Sequence, residues 1–178
     1  MLTLNGKKMA KSTGNNILPR ELITGENSIL SKAFSPSVAR FFMLQAHYRS
    51  ILDFSDDAIV AAEKGYNRMM EALQNLKDIQ PETNSSLDIH AWRKNCYEAM
   101  NDDFNSPILI AQLFEGVRFI NLLKEKMATL TEADLFLFST TINSFIYDVL
   151  GLDAERKSND SDVKLSGVVE MLIGMRNE

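Results

Sequence analysis

The chain has 178 residues, 45% of them hydrophobic and 24% charged, a composition that is ordinary for a soluble globular protein with one large domain or two small ones. Its net charge of −5 excludes a protein that is basic throughout, and its single cysteine, Cys96, excludes an internal disulfide framework or a cluster of zinc-binding thiolates. The sequence has neither an apolar run of ~18 residues nor the apolar core of a secretory signal at its start, so no membrane contact is expected. The single cysteine indicates a reducing compartment, most simply the cytoplasm.

The first predicted element, residues 1–18, is a short extended piece followed by a flexible loop. The stretch NGKKMAKSTGNN at residues 5–16 holds three lysines and no acid among small polar residues. It lies in a basic head, because residues 1–50 have a charge balance of +5 and the remaining 128 residues sum to −10. Such a loop suits contact with a phosphate chain, although a solvated basic turn is the plainer alternative. It is not a P-loop, because Lys11 stands where that motif requires its second glycine.

Helical signals dominate the chain after residue 18, and no strand alternation is visible there. Ser35-Pro36 predicts a helix start, and the apolar face that follows runs to about His47. Ser55, followed by two acids, predicts the start of a longer helix. Its apolar positions keep the i, i+3, i+4 spacing of a helix as far as Leu76.

Residues 78–87 are rich in Pro, Ser and Asn, which predicts a linker and the best domain boundary. Three apolar helical stripes follow, and the last of them ends at Gly151, a natural stop signal. Thr129 followed by Glu132 fits a capping box for the third of these helices. A final helix is expected from about Leu165; because it reaches the last residue without a stop signal, we expect the chain to be a fragment.

These elements predict an all-α fold with two helical segments around a linker, preceded by the extended piece and its flexible loop. Some individual residues also receive an expectation. Cys96 lies on an apolar helical stripe and is expected in the core, and His90 is expected at the surface near a helix start. Asp102-Asp103 is interpreted as part of a helix cap rather than as a metal or acid pair, and His47-Tyr48-Arg49-Ser50 as a structural segment that packs against a neighbouring domain.

Several short stretches resemble those of a known enzyme family. Lys8-Met9-Ala10-Lys11-Ser12, followed by Thr13-Gly14-Asn15, resembles the KMSKS-x-G-N signature of class I aminoacyl-tRNA synthetases, with Ala10 in place of the usual first serine. Three later stretches resemble cysteinyl-tRNA synthetases: Ala39–Phe42 leading into His47–Ser50, then Leu52–Ser55, and Met100–Pro107. Order and spacing agree from about residue 1 to about residue 152, so the chain is similar to the C-terminal part of such a synthetase.

The resemblance implies a role for each segment. Residues 1–18 would be the KMSKS-type loop region, residues 19–80 a helical stem-contact segment, and residues 88–178 a helical bundle of the anticodon-binding type that is truncated at its C-terminus. The resemblance also implies specific site residues. Lys11 would contact the ATP phosphates and stabilise the adenylation transition state, Lys8 would support it, and Ser12 would join them in binding ATP.

The same resemblance makes Arg40 and Arg49 candidate contacts to tRNA phosphates, since such contacts position a nucleic acid on a protein. For Arg40 a place on the helix surface or in an intramolecular salt bridge is an equal alternative. The implied partners of the whole enzyme are tRNA(Cys), cysteine and ATP with Mg²⁺.

The implied activity is the ATP-dependent attachment of cysteine to its tRNA through a cysteinyl-adenylate. In the family the catalytic domain precedes the loop and holds a zinc ion, so no metal site is expected in this chain and the chain alone is expected to be inactive. Two alternatives remain open: a related ligase that joins cysteine to a sugar amine in thiol biosynthesis, and a free-standing helical tRNA-binding module with a vestigial loop.

Overall fold

The computed structural model describes residues 2–10, 12 and 14–153, so the helix expected from Leu165 lies outside the described residues. The described part is mostly helical, with a small sheet near its start, which confirms the predicted fold class. Its α-helices are α1 (Pro19–Thr24), α2 (Pro36–Leu44), α3 (Asp56–Leu76), α4 (Ile89–Asn101), α5 (Ser106–Lys124) and α6 (Glu132–Asn143), and a π-helical segment (Ser144–Val149) continues α6.

The sheet has three short strands, β1 (Leu2–Leu4), β2 (Lys7–Lys8) and β3 (Leu52–Phe54), in the order β2-β1-β3. β1 runs antiparallel to β2 and parallel to β3, with Leu4 opposite Phe54. The expectation that no strand follows residue 18 is therefore wrong at β3. Three residues are too few for alternation to be recognised, and their partner lies about fifty positions earlier in the chain.

Two helix starts agree with the sequence. The Ser35 and Ser55 hydroxyl oxygens accept hydrogen bonds from the backbone N–H groups of Val38 and Ala58, so both serines are N-caps. The first of these helices, α2, ends at Leu44, three residues before the expected end at His47.

The capping box expected at Thr129 is wrong. The N-cap of α6 is Thr131, whose side chain accepts a hydrogen bond from the backbone N–H of Asp134. Thr129 is instead bonded to the linker: its backbone N–H donates to Ser86 Oγ at 2.9 Å, and its carbonyl accepts from the Ser86 N–H at 2.9 Å. Because these bonds hold Thr129 outside the helix, α6 starts two residues later.

Helix α5 is the centre of the helical part and packs against α2, α3 and α4. It is 19 residues long and apolar enough that, by length and composition alone, it would be able to cross a membrane. Its buried apolar residues, however, belong to one continuous cluster that includes residues from all the neighbouring helices. We therefore describe α5 as the core helix of a globular bundle.

Residues of α4 occupy the positions expected from the sequence. Cys96 is fully buried, as expected, and burial raises the pKa of its thiol to about 12. His90 is exposed in the first turn of α4, which confirms the expected surface position. Trp92 is buried with its indole N–H donating to the carbonyl of Gln112 at 2.8 Å, which ties α4 to α5.

Candidate functional site

The lysine hairpin, defined here as residues 2–8, presents two cationic side chains to solvent. Asn5 and Gly6 join its strands and have φ values of 49° and 74°, the left-handed conformation that a type I′ turn requires at both positions. Lys7 and Lys8 follow the turn and form the edge strand β2, where both are exposed. The Asn5-Gly6 pair is the strongest local sequence signal of a hairpin. From the sequence we expected only an extended piece and a loop, so the hairpin is a feature that sequence reasoning missed.

Asp53, in the middle of β3, holds the turn of the lysine hairpin. Its Oδ1 accepts the hydroxyl of Thr3 at 2.5 Å and the backbone N–H of Gly6 at 2.8 Å. These two hydrogen bonds, that of Thr3 first, lower the pKa of Asp53, because both favour the ionised carboxylate. The Asn5 N–H also donates to the Phe54 carbonyl at 3.0 Å. The turn is thus fixed from β3, although no role for Asp53 was expected from the sequence.

Asn15 closes the loop that follows the hairpin. Its side-chain nitrogen donates to the carbonyls of Lys7 and Lys8 at 3.3 and 3.2 Å, and its own carbonyl accepts from the Ala10 N–H at 2.9 Å. Gly14 beside it has a φ of 67°, which glycine adopts without strain. The two ends of the loop therefore meet, and an open groove of about 600 Å³ is lined by Lys7, Lys8, Gly14 and Asn15.

The three residues expected to bind ATP differ in how far the structure describes them. Lys8 lines the groove, and no carboxylate in the described part of the chain forms an ion pair with it. Ser12 is exposed in the loop. Lys11 lies outside the described residues. An exposed lysine without an internal acid partner has its ammonium donors available for a ligand.

Arg40, one of the two candidate contacts to RNA, is engaged within the chain. It lies on the exposed side of α2, and its Nη1 donates to the carbonyl of Gly151, just beyond the π-helical segment. Tyr66 of α3 makes a similar bond to the carbonyl of Asp153. Arg40 thus joins α2 to the end of the bundle, and four of its five guanidinium N–H donors are not accounted for by this bond.

Arg49, the other candidate, follows α2 and pairs with a residue from the connection between α4 and α5. Its Nη2 lies 3.0 Å from Asp103 Oδ2, and its Nε donates to the Tyr48 hydroxyl at 3.0 Å. The guanidinium also lies over the Tyr48 ring, 5.3 Å from its centroid. Arg49 nevertheless remains 70% exposed, so an ion at the surface can reach it.

The capping interpretation is wrong for both acids, because neither carboxylate accepts a bond from a backbone N–H at the start of α5. Asp102 is the C-cap of α4 and accepts a bond from the side chain of Asn105, the N-cap of α5, at 3.3 Å. Asp103 instead turns away from both helices toward Tyr48 and Arg49. The stretch from His47 to Ser50 therefore has a neighbour inside this chain, where we had expected one from a separate domain.

No metal centre is formed by the described residues: no group of three His, Cys, Asp or Glu side chains among them could hold an ion. Cys96 is buried with a raised pKa, so its thiolate is not available as a ligand. The described residues therefore do not provide the Cys, His and Glu ligands of the zinc site that the resemblance implies for the whole enzyme. What the arrangement offers is cationic side chains on a hairpin.

Comparison with known proteins divides the chain into two matched regions. Residues 1–64 match the family described as "tRNA synthetases class I (C) catalytic domain", and residues 95–155 match the DALR domain. The first region contains the lysine hairpin, its loop and Asp53. The second contains the greater part of α4, together with α5, α6 and the π-helical segment.

Full-length relatives cover both regions. The chain is 44% identical over 179 aligned residues to the cysteine–tRNA ligase of Parabacteroides distasonis. The alignment covers 100% of this chain and 36% of the relative. It is 45% identical to the cysteine–tRNA ligase of Bacteroides thetaiotaomicron and 34% identical to that of Chlorobaculum tepidum, in each case over at least 99% of this chain and 36% of the relative. The chain thus spans about a third of the length of the curated relatives it matches.

Proposed function

The chain belongs to the family of cysteine–tRNA ligases, and we propose that in such a ligase it supplies the lysine loop that acts on ATP and the helices that meet tRNA. The whole protein would use ATP with Mg²⁺ to activate cysteine as an adenylate and then transfer it to tRNA(Cys), in the cytoplasm. The observation that supports this proposal is the lysine hairpin. It lies in the region that matches a synthetase catalytic domain and presents Lys8 in an open groove without an internal acid partner.

The chemistry of adenylation explains why lysines would be placed there. When the carboxylate of an amino acid attacks the α-phosphorus of ATP, pyrophosphate leaves and negative charge accumulates on the phosphate oxygens. Cations that are already positioned stabilise this charge, and an interaction that is stronger in the transition state than in the ground state raises the rate. We propose that Lys8 and Lys11 carry out this role and that Ser12 donates a hydrogen bond to the same phosphates.

The hairpin contributes the placement of these cations. Asp53 and Asn15 fix the two ends of β2 through backbone groups and leave the lysine side chains free. A lysine on a fixed strand loses less freedom when it meets a phosphate than one on an unrestrained loop, so less of the binding energy is spent on ordering it. The backbone contacts therefore support a role in which charge must arrive at a defined position.

Cysteine-dependent exchange between ATP and pyrophosphate tests this proposal, with protein made from the whole reading frame around this chain. We expect Lys8→Ala to lower the rate of exchange by about 10²- to 10³-fold, the usual loss for one transition-state donor. Lys64→Ala is the control, because Lys64 is also an exposed lysine but lies on α3 and does not line the groove. We expect the control to retain exchange within about threefold.

Equal losses in the two variants would show that the loss is not specific to the lysine hairpin. Undiminished exchange in Lys8→Ala would contradict the proposed role of Lys8. Lys11→Ala extends the test to the second lysine of the signature and should cause a loss at least as large as that in Lys8→Ala.

A further inference from the structure

Three side chains from the segment that follows α2 converge on one carboxylate. We call His47, Tyr48, Arg49 and Asp103 the corner cluster. The Tyr48 hydroxyl donates to Asp103 Oδ1 at 2.7 Å, Arg49 Nη2 lies 3.0 Å from Oδ2, and His47 Nε2 lies 3.9 Å from the same oxygen. The His47 and Tyr48 rings stack with their centroids 4.7 Å apart. Both carboxylate oxygens of Asp103 are therefore engaged by one segment.

The backbone at Asp103 is unusual for a residue with a side chain. Asp103 and Phe104 have φ values of 55° and 53°, in the left-handed region that favours glycine. Phe104 is 70% exposed, so burial of its ring does not compensate for this conformation. Backbone bonds from the N–H groups of Phe104 and Asn105 to the carbonyls of Met100 and Ala99 hold the turn at the end of α4. Glycine would adopt the φ of Asp103 with less strain. The contacts of the carboxylate are therefore what an aspartate adds at this position.

The segment that Asp103 holds leads directly into β3. Only residues 50–52 separate Arg49 from Asp53, and the Ser50 N–H donates to the His47 carbonyl at 2.8 Å, which makes the connection a tight turn. Asp53 in turn bonds the Gly6 N–H of the lysine hairpin. A continuous series of contacts thus runs from the α4–α5 connection to the strand that carries Lys8.

The sheet is too small to fix its own position. Its strands have three, two and three residues, whereas strands of five or six are usual. Register in such short strands must be specified by what surrounds them, because a shift of one residue moves every side chain to the opposite face. Burial of Leu4 and Phe54 specifies one side of the sheet. The corner cluster is placed to specify the start of β3.

We propose that Asp103 is a positioning residue for the lysine hairpin. By fixing Tyr48 and Arg49 it fixes the start of β3, and through Asp53 it fixes the turn that presents Lys8. This inference rests on the proposed function, because the benefit of a fixed hairpin is the placement of a lysine against phosphate. It assigns the helical bundle a part in activation chemistry that is separate from any contact with RNA.

The test compares Asp103→Gly with Asp102→Ala in the whole protein. Glycine suits a φ of 55°, so the first variant removes the carboxylate without straining the backbone. Hydrogen exchange of the Asn5 and Gly6 amides reports on the hairpin. We expect at least tenfold faster exchange of these two amides in Asp103→Gly, with the amides of α3, α4 and α5 unchanged. Asp102→Ala removes the neighbouring acid, whose carboxylate bonds the Asn105 side chain and not the corner cluster. This variant should leave the Asn5 and Gly6 amides protected.

The rate of catalysis and the melting temperature together distinguish a positioning role from a merely structural one. We expect kcat for ATP–pyrophosphate exchange to fall by about 10- to 100-fold in Asp103→Gly, as a displacement of about 1 Å can cause. The melting temperature should change by less than about 3 °C, because relief of backbone strain offsets loss of an exposed ion pair. Asp103→Asn keeps an acceptor for the Tyr48 hydroxyl and tolerates the left-handed conformation, so it should restore part of the rate.

Tyr48→Phe removes the hydroxyl from the other side of the cluster and keeps the stacked ring, so it decides the matter if Asp103→Gly does not fold. Unchanged exchange of the Asn5 and Gly6 amides in either folded variant would overturn the proposal. Faster exchange throughout α4 and α5 would overturn it as well, since Asp103 would then only stabilise the bundle. If Lys8→Ala keeps full activity, the proposed function fails by itself, while the amide measurement still tests the link from Asp103 to the hairpin.

Discussion

A single exposed carboxylate, that of Asp53, connects two parts of the chain that are distant in sequence. It accepts bonds from Thr3 and Gly6 at once, so it holds both the strand and the turn of the lysine hairpin. Aspartate is disfavoured in the middle of strands, which is a sign in the sequence that its side chain has a specific partner. An acid therefore fixes the turn from which the two lysines follow.

The lowered pKa of Asp53 predicts how the hairpin responds to acid. The unfolded state binds a proton near the ordinary value of 3.8, whereas the folded state binds it only at lower pH, so stability rises with pH across this range. We expect the protection factors of the Asn5 and Gly6 amides, corrected for intrinsic exchange, to be full near neutral pH. They should decline as the pH falls below about 3.8 and through the folded-state pKa.

Asp53→Asn is the comparison that isolates this effect. The variant keeps the shape of the side chain but has no titrating group, so its hairpin should be less protected near neutral pH and show no step in acid. A step of equal size in the variant would mean that another group is responsible. Because Asp53 is exposed, the effect should be confined to the hairpin and leave the helices unaffected.

At the scale of elements, α5 is held by close contact with its neighbours on several sides. Gly116 marks the tightest point: a Cβ there would lie 3.0 Å from Ile142 Cδ1 and 3.1 Å from Trp92 Cζ2. Gly65 in α3 differs, because a Cβ at that position would meet the rings of Phe114 and Phe41 at 3.5 Å, an ordinary contact distance. Gly116 is thus required for close packing between helices, whereas Gly65 has room for a methyl group.

This difference predicts opposite effects of the same substitution. Gly116→Ala should lower the free energy of unfolding by about 1–3 kcal/mol, the usual cost of overpacking a core. Gly65→Ala should raise it by up to about 1 kcal/mol, because alanine is the better helix former and the space is available. Urea unfolding of the two variants checks both signs, and destabilisation by both would show that α3 and α5 are packed equally closely at these positions.

The elements that could be predicted from the sequence are those whose signals are local. Ser35 and Ser55 cap helices because a serine before an apolar stripe satisfies orphan N–H groups wherever it occurs. The start of α6 was misplaced because bonds between Thr129 and the linker, 43 residues earlier, decide it. Strand β3 was missed for a similar reason: it exists only because β1 is available to pair with it.

The same distinction applies to the candidate site. Lys8 was identified because its neighbours in sequence form a recognisable signature. Asp53 and Asp103 received no such role, since each acts on residues about fifty positions away. Considered with its neighbours in sequence alone, Asp103 is expected at a helix end. Only the folded chain brings it to Tyr48 and Arg49.

Across the whole molecule, residues 1–50 have a net charge of +5 and the remaining 128 residues a net charge of −10. The proposed contact with tRNA phosphates would therefore use the head, where the field attracts them. Arg40 and Arg49 belong to this head, and both already contact other parts of the chain. Binding of RNA and cohesion of the two matched regions would then depend on the same side chains.

The salt dependence of tRNA binding tests this proposal in the whole protein. If Arg49 neutralises one phosphate, Arg49→Ala should reduce the slope of log K against log salt concentration by about 0.7–0.9. Arg93→Ala is the matched control, because Arg93 lies on the exposed face of α4 outside the basic head and should leave the slope unchanged. The same measurement on Arg40→Ala separates its alternatives: a reduced slope indicates phosphate contact, and an unchanged slope with a lower melting temperature indicates an internal role alone.

The parallel pairing of β1 with β3 also sets the order in which the protein can fold. The local hairpin of β1 and β2 can close within microseconds, but the Thr3–Asp53 contact must wait for a residue 50 positions later. At the ribosome, which adds about 5–20 residues per second, this delay is about 3 to 10 s. During that interval the buried strand residue Leu4 has no partner from β3. The segment that carries the lysines thus reaches its native contact with Asp53 only some seconds after its own turn has formed.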